Sequence, residues 1–362
     1  MATVSVVGAG AVALVAGRAV SDLVLRPGRR PPATGDGLRV HAVEPGRVEL
    51  TRTPETERRG VYALEWAVAG HAVVGPVLGT TSQTVVRELR QGPAPEPGAA
   101  VRITPRVDLG DPKSRWGIDF SETSVRGELG PMPAWFTSGV RDPWVIAVHG
   151  LGADRQQVLP LLPLFQRLKL PVLAMTYRND EGAPQSPDGV GHFGETEWRD
   201  VEAAIRLAAS SGASRVVLYG WSVGATMALQ AAERSDHADM VRGLILDSPV
   251  LDFRGTVLRS AERRGVPSPL AALGLRAAEG RTAVDQAEFD RMASGVGLKV
   301  PTALLHSPDD TVAPIAPARR LAYNRDELVL FEQFPGAEHA ALWNSAPDRY
   351  EDVLRRFLTP LL

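Results

Sequence analysis

The chain has 362 residues, 44% of them hydrophobic and 23% charged, and a formal net charge of −2, the make-up of an ordinary globular protein with room for about two domains. A balance so near neutral, with no basic stripe interleaved with aromatics, offers no footprint for nucleic acid. The absence of cysteine excludes disulfides, thiolate metal sites and cysteine nucleophiles, and leaves the compartment open.

Residues 1–30 form an apolar amino-terminal segment. Gly8, Gly10 and Ala13 imitate the G-x-G-x-x-A dinucleotide fingerprint. That motif needs a second strand and a ribose-binding acid roughly 20 residues on, and the Pro/Arg run from 26 to 32 interrupts the unit. No nucleotide cofactor is expected. No basic residue precedes Arg18, which speaks against a signal peptide. The run from Val4 to Gly17 is shorter than the roughly 20 residues of a bilayer span, but it extends past Arg18 and Asp22 to Leu25. Two readings stand: a terminal helix packed on the protein or frayed, or a weak membrane association through residues 4–25. In the second, Arg18, Arg26, Arg29 and Arg30 would leave the remainder cytoplasmic. A cytoplasmic location is expected in either case.

Residues 31–115 read as a small β-rich domain. "LRVHAV", "RVELTRT", "GVYALEWAV", "HAVVGPVLG", "TVVREL" and "AVRITP" are short runs of β-formers separated by Gly, Pro and charged turns. "RQGPAPEPGAA" is a loop by composition. An antiparallel sheet or barrel is predicted, with no constellation that carries chemistry. Its expected work is to cover an edge, shape a cleft or meet a partner.

From 116 to 362 apolar strands alternate with amphipathic helices, the pattern of a mainly parallel sheet flanked by helices. Strands are predicted at 144–150, 172–177, 215–220, 243–248, 302–307 and 328–334, each near-continuously hydrophobic as strands covered on both faces are. A helix over 195–210 carries Trp198, Val201, Ile205 and Ala208 on one face, and another after Pro347 buries Tyr350, Val353, Leu354 and Phe357. The stretch of about 254–298 reads as two or three short helices, either a small cap or plain packing. In open α/β sheets the functional groups lie beyond the carboxyl ends of the strands. There fall residues 149–152 and 177–180, Ser222, Asp247, Asp309 and Asp310, and His339 follows the last strand by five residues.

"YGWSVGATMAL", residues 219–229, sets Ser222 in a G-x-S-x-G turn between a strand and a helix. A serine hydroxyl is a poor nucleophile without a base, and the base needs an orienting acid. Of the seven histidines, His41 and His71 lie in the β-rich region and His237 in a polar turn. His149 and His306 end strands, and His192 sits in the loop "DGVGHFGE". His339, in "FPGAEHAALWN", is on a glycine-containing loop from which an imidazole can swing to the serine. "HSPDDTVAP" puts Asp309 and Asp310 just past a strand end, where a turn or helix N-cap is the ordinary use of aspartate. Asp247 is held in reserve. An oxyanion needs backbone donors: the amide of Val223 follows the nucleophile, and "HGLGAD" offers Leu151 between two glycines. Arg155, Arg178 and Asp180 read first as partners in salt bridges and second as substrate ligands.

"VIAVHGLGADR", "GWSVG", "HSPDDTVAP" and "PGAEHAALWN", in that order, resemble the α/β-hydrolase superfamily of the serine esterase/peptidase type over roughly residues 125–362. The resemblance implies Ser222 as nucleophile, His339 as base and Asp310, the position before "TVAP", as acid. It also implies Leu151 and Val223 as oxyanion donors, with no cofactor and no metal. The expected activity is hydrolysis of a carboxylic ester through an acyl-enzyme. A peptidase or amidase is the alternative within the class, and a non-catalytic binding module the alternative outside it. The expected partner is a small ester or short peptide. Oligomeric state and natural substrate have no signature in the sequence.

Overall fold

A computed structural model of the protein describes residues 15–26, 37–67, 69–282 and 284–362. The amino-terminal domain is an antiparallel sheet of β1 (Val40–Glu44), β2 (Arg47–Thr51), β3 (Tyr62–Trp66), β4 (Gly70–Thr80), β5 (Thr84–Gln91) and β6 (Arg102–Thr104), in the order β1-β2-β5-β4-β3-β6. Alternation decides which face turns inward: in β2, Val48 and Leu50 are buried between the outward Arg47, Glu49 and Thr51. Register shifts along β4, between Val73 and Val74, between Val74 and Val77 and between Val77 and Gly79, bend this long strand as bulges do. The sheet's two ends then meet, with the Val40 amide donating to the Ala99 carbonyl at 3.0 Å and the Val101 amide to that of Leu38 at 3.1 Å. The enclosed core is built on Val48, Leu50, Tyr62, Leu64 and Val74.

The second domain is an eight-stranded sheet. Its parallel part comprises β9 (Trp144–Val148), β10 (Val172–Met175), β11 (Val216–Trp221), β12 (Val241–Asp247), β13 (Thr302–His306) and β14 (Val329–Gln333). These six agree with the predicted strands. Two more were not anticipated: β7 (Ser121–Gly127) and β8 (Gly130–Thr137) form a hairpin that joins antiparallel to β10. With β7 at the sheet's edge and mostly exposed, its sequence is polar. Pro131 and Pro133 disguise β8, since proline usually argues against an inner strand. The order is β14-β13-β12-β11-β9-β10-β8-β7.

Helices cover both faces. Trp198–Ser210 packs through Val201, Ala204, Ile205 and Ala208 on one side, and Pro347–Leu358 through Tyr350, Val353, Leu354 and Phe357 on the other. Between β12 and β13 the chain makes three helices, Phe253–Glu262, Ser268–Thr282 and Gln286–Ser294. Residues 15–25 are helical and lie along the second of these. A Cβ on Gly274 would stand 2.3 Å from Val20, and Arg281 pairs with Asp22 at 2.8 Å. Among the described residues no helix is long and apolar enough to cross a membrane. The rest of the apolar segment, with Gly8, Gly10 and Ala13, lies outside the described residues.

Candidate active site

Ser222 occupies the turn between β11 and the helix Val223–Arg234 with φ 55° and ψ −120°. Such a backbone costs an L residue on the order of 1–3 kcal/mol, and it persists only where the surroundings enforce it. Two close approaches do so. A Cβ on Gly220 would lie 2.3 Å from the Gly224 carbonyl oxygen, and one on Gly224 would lie 2.2 Å from that of Val148. Strand and helix thus come nearer than side chains allow, and the Ser222 amide is tied to the Asp247 carbonyl at 2.8 Å. Gly224→Ala is expected to destabilise the fold by about 2–3 kcal/mol through overpacking against backbone that cannot yield; urea denaturation measures it.

The turn aims Ser222 at His339, whose Nε2 is 2.7 Å from the Ser222 Oγ. His339 Nδ1 is 2.7 Å from Asp310 Oδ2. Asp310 Oδ1 accepts from the amides of Val312 and Ala313 at 2.7 and 2.8 Å. The aspartate is therefore both the turn-former and the histidine's partner, one oxygen for each. Its side chain is wholly buried, whereas His339 keeps 13% of its side-chain surface exposed, so the imidazole faces the solvent side of the chain of bonds. Burial works to raise the Asp310 carboxyl pKa, but His339, its hydrogen bond and His306 outweigh it and hold the group below its ordinary value.

The "HGLG" loop lies against the nucleophile: a Cβ on Gly150 would be 3.2 Å from the Ser222 Cβ. The Gly150 amide is occupied by Gln157 Oε1 at 3.0 Å. Leu151 follows Gly150 on this loop, and Val223 is the first residue of the helix after Ser222. His149 braces this loop from beneath. Its Nε2 meets Asp180 Oδ2 at 2.8 Å, its Nδ1 the Gly150 carbonyl at 2.9 Å, and its ring stacks on Tyr177.

The remaining candidates have other duties. His306 is buried with Nδ1 on the Ser307 carbonyl at 3.0 Å, and His192 pairs with Asp188. Arg178 is buried on Asp200, and Arg155 pairs with Glu122 over the Trp135 ring. Asp309 Oδ2 accepts from the Gly336 amide at 2.7 Å, bracing the loop that leads to His339. Several supporting residues carried no signal in the sequence. Arg259, from the helix Phe253–Glu262, donates to the Asp310 carbonyl at 2.8 Å. Ser248, at φ 51°, accepts from the Ala340 amide at 3.1 Å. Gln157 and Ser248 are ordinary polar residues whose partners are known only once the loops are folded.

Asp247, the reserve acid, does not bond His339. Its oxygens accept from Tyr350 at 2.7 Å and Ser248 at 2.8 Å. Burial pushes its pKa up to about 6 against those two hydrogen bonds. A carboxyl whose pKa is raised on folding stabilises the protein below its unfolded value near 4, and that contribution is lost as pH rises through 6. Asp247→Asn should therefore compare more favourably with the wild type at pH 8 than at pH 5. Urea melts of both proteins at the two pH values test this.

A mainly parallel sheet with a serine on a strained strand-to-helix turn, facing a histidine–aspartate pair beyond the last strands, defines the α/β-hydrolase class. Residues 145–359 match the alpha/beta hydrolase family, and the chain belongs to it. Residues 39–104 match a domain of unknown function (DUF8805). Among solved structures, the protein is similar to an esterase of Pyrococcus furiosus, at 17% identity and a TM-score of 0.56 over 70% of this chain and 94% of that one. It is also similar to EstE1, a thermophilic carboxylesterase from a metagenomic library, at 15% identity and a TM-score of 0.50 over 67% of this chain and 90% of that one. At these identities the likeness is one of fold. No curated protein matches the chain.

Proposed function

We propose that the protein is a cofactor-independent serine hydrolase that cleaves carboxylic esters through an acyl-enzyme on Ser222. The observation that carries this reading is the unbroken chain from Ser222 Oγ to His339 Nε2 and from His339 Nδ1 to Asp310, each link 2.7 Å. In the forward step Ser222 Oγ attacks the ester carbonyl carbon while its proton passes to His339 Nε2. Asp310 holds the imidazole in the tautomer with hydrogen on Nδ1 and stabilises the imidazolium. The oxyanion is received by the amides of Leu151 and Val223. Collapse expels the alkoxide, which takes the proton from Nε2. Water then enters, gives a proton to His339 and releases the acid by the same steps in reverse.

Every proton in this cycle has a donor and an acceptor among the chain, the ester and the water that hydrolyses the acyl-enzyme. An ester is favoured over an amide because an alkoxide is a far better leaving group than an amide anion, so ester cleavage asks less of the general acid. Initial rates on p-nitrophenyl esters of rising acyl length, set against aminoacyl p-nitroanilides, test the choice. Faster ester turnover is expected; faster anilide turnover would make the protein a peptidase or amidase.

A further inference from the structure

The loop between β2 and β3, residues 52–61, is fixed from inside the amino-terminal domain by Arg87 of β5. This arginine is fully buried, and no carboxylate among the described residues pairs with it. All five of its N–H groups donate to carbonyls: to Gly75 at 2.9 and 2.5 Å, Thr56 at 2.9 Å, Arg58 at 2.6 Å and Gly60 at 2.8 Å. Burial brings its pKa down only to about 10, so it stays charged at neutral pH. A buried cation is costly unless its donors are satisfied, and satisfaction here requires the loop's carbonyls to converge on one point. The shape of the loop follows from that requirement.

What this loop presents to the hydrolase domain is narrow. Arg58 pairs with Glu338, the residue before His339. Gly60, at φ +101°, lies so near the segment 344–345 that a Cβ would fall 1.9 Å from the Asn344 carbonyl oxygen. The Val61 amide donates to that oxygen at 2.8 Å, and Asn344 Nδ2 donates to the carbonyls of Val61 and Pro105, each at 2.9 Å. These contacts fall on Glu338 and Asn344, the two ends of the segment that holds His339. Further along the chain, the Gly110 amide donates to Gln156 Oε1 at 3.0 Å, beside the loop of Gly150. Glu338 also lies 3.7 Å from Arg263, next to the helix Phe253–Glu262.

We infer that the amino-terminal β-domain is a positioning module for the candidate catalytic histidine: the Arg87-moulded loop, through Arg58 on Glu338 and Gly60–Val61 on Asn344, sets the His339 imidazole within reach of Ser222. Arg58 is the positioning residue that can be tested without touching the core. The inference rests on the serine-hydrolase reading above. A misplaced base slows proton transfer while leaving substrate contacts alone, so its mark is a change in turnover and not in binding.

The test is steady-state kinetics of the full chain of 362 residues, as wild type, Arg58→Ala and Arg58→Lys, on p-nitrophenyl acetate. Rates are expressed per active site titrated with a fluorophosphonate, so that loss of folded protein does not imitate loss of turnover. Arg58→Ala is expected to lower kcat per titrated site about tenfold with KM within twofold, and Arg58→Lys to recover most of the loss. An Arg58→Ala protein with wild-type kcat per site, or one whose loss lies only in KM or in the number of sites, overturns the positioning role alone. A wild type that takes no fluorophosphonate and cleaves no ester overturns the hydrolase reading and this inference with it.

Discussion

Ser222→Ala is expected to lower kcat on a p-nitrophenyl ester by about 10⁵-fold, the scale on which hydrolases lose turnover when the nucleophile of a cooperating triad is removed. The reason is geometric. The Ser222 Oγ stands 2.7 Å from His339 Nε2, on a turn whose backbone is held at φ 55°. Alanine keeps the Cβ and the backbone, so thermal stability should change little. Because Ser222 and His339 act as one unit, the double variant Ser222→Ala/His339→Ala should be no slower than either single one. Steady-state kinetics of the three proteins measure this. A double variant much slower than both singles would mean that the two residues act independently.

The second large effect is expected from Asp310→Asn, a fall in kcat of about 10⁴-fold. Asp310 Oδ1 already accepts from the amides of Val312 and Ala313. An asparagine must turn its carbonyl oxygen to those donors, and its NH₂ group then faces His339 Nδ1. The imidazole is driven to the tautomer with hydrogen on Nε2, which cannot take a proton from Ser222. Asp309→Asn is the control, because Asp309 accepts only from the Gly336 amide on the loop and should cost far less. Equal losses from the two variants would remove the distinction between neighbouring aspartates.

The parallel strands were legible because strands covered on both faces must be apolar throughout, as "VVLYGW" and "GLILD" are. The elbow was legible because only glycine fits where Gly220 and Gly224 meet backbone at 2.2–2.3 Å. The β7–β8 hairpin was not, since its edge strand carries Ser121, Glu122 and Thr123 toward solvent and its inner strand carries two prolines. The choice of Asp310 over Asp309 came from the resemblance to the family and not from the residues themselves; both suit a turn. The support beneath the site was out of reach for a different reason. Tyr350 bonds Asp247 across 103 positions and Arg58 meets Glu338 across 280. Contacts of that span leave no local periodicity or spacing. The six strands of the amino-terminal domain could thus be read one by one, while its docking beside His339 could not.

Peptide mapping by mass spectrometry after exposure of the full chain of 362 residues to a fluorophosphonate tests most directly whether Ser222 is the nucleophile. One adduct per chain is expected on Ser222, with fluoride displaced by Oγ, and none in Ser222→Ala. A wild type that stays unmodified, or an adduct of equal yield on both proteins, would contradict it.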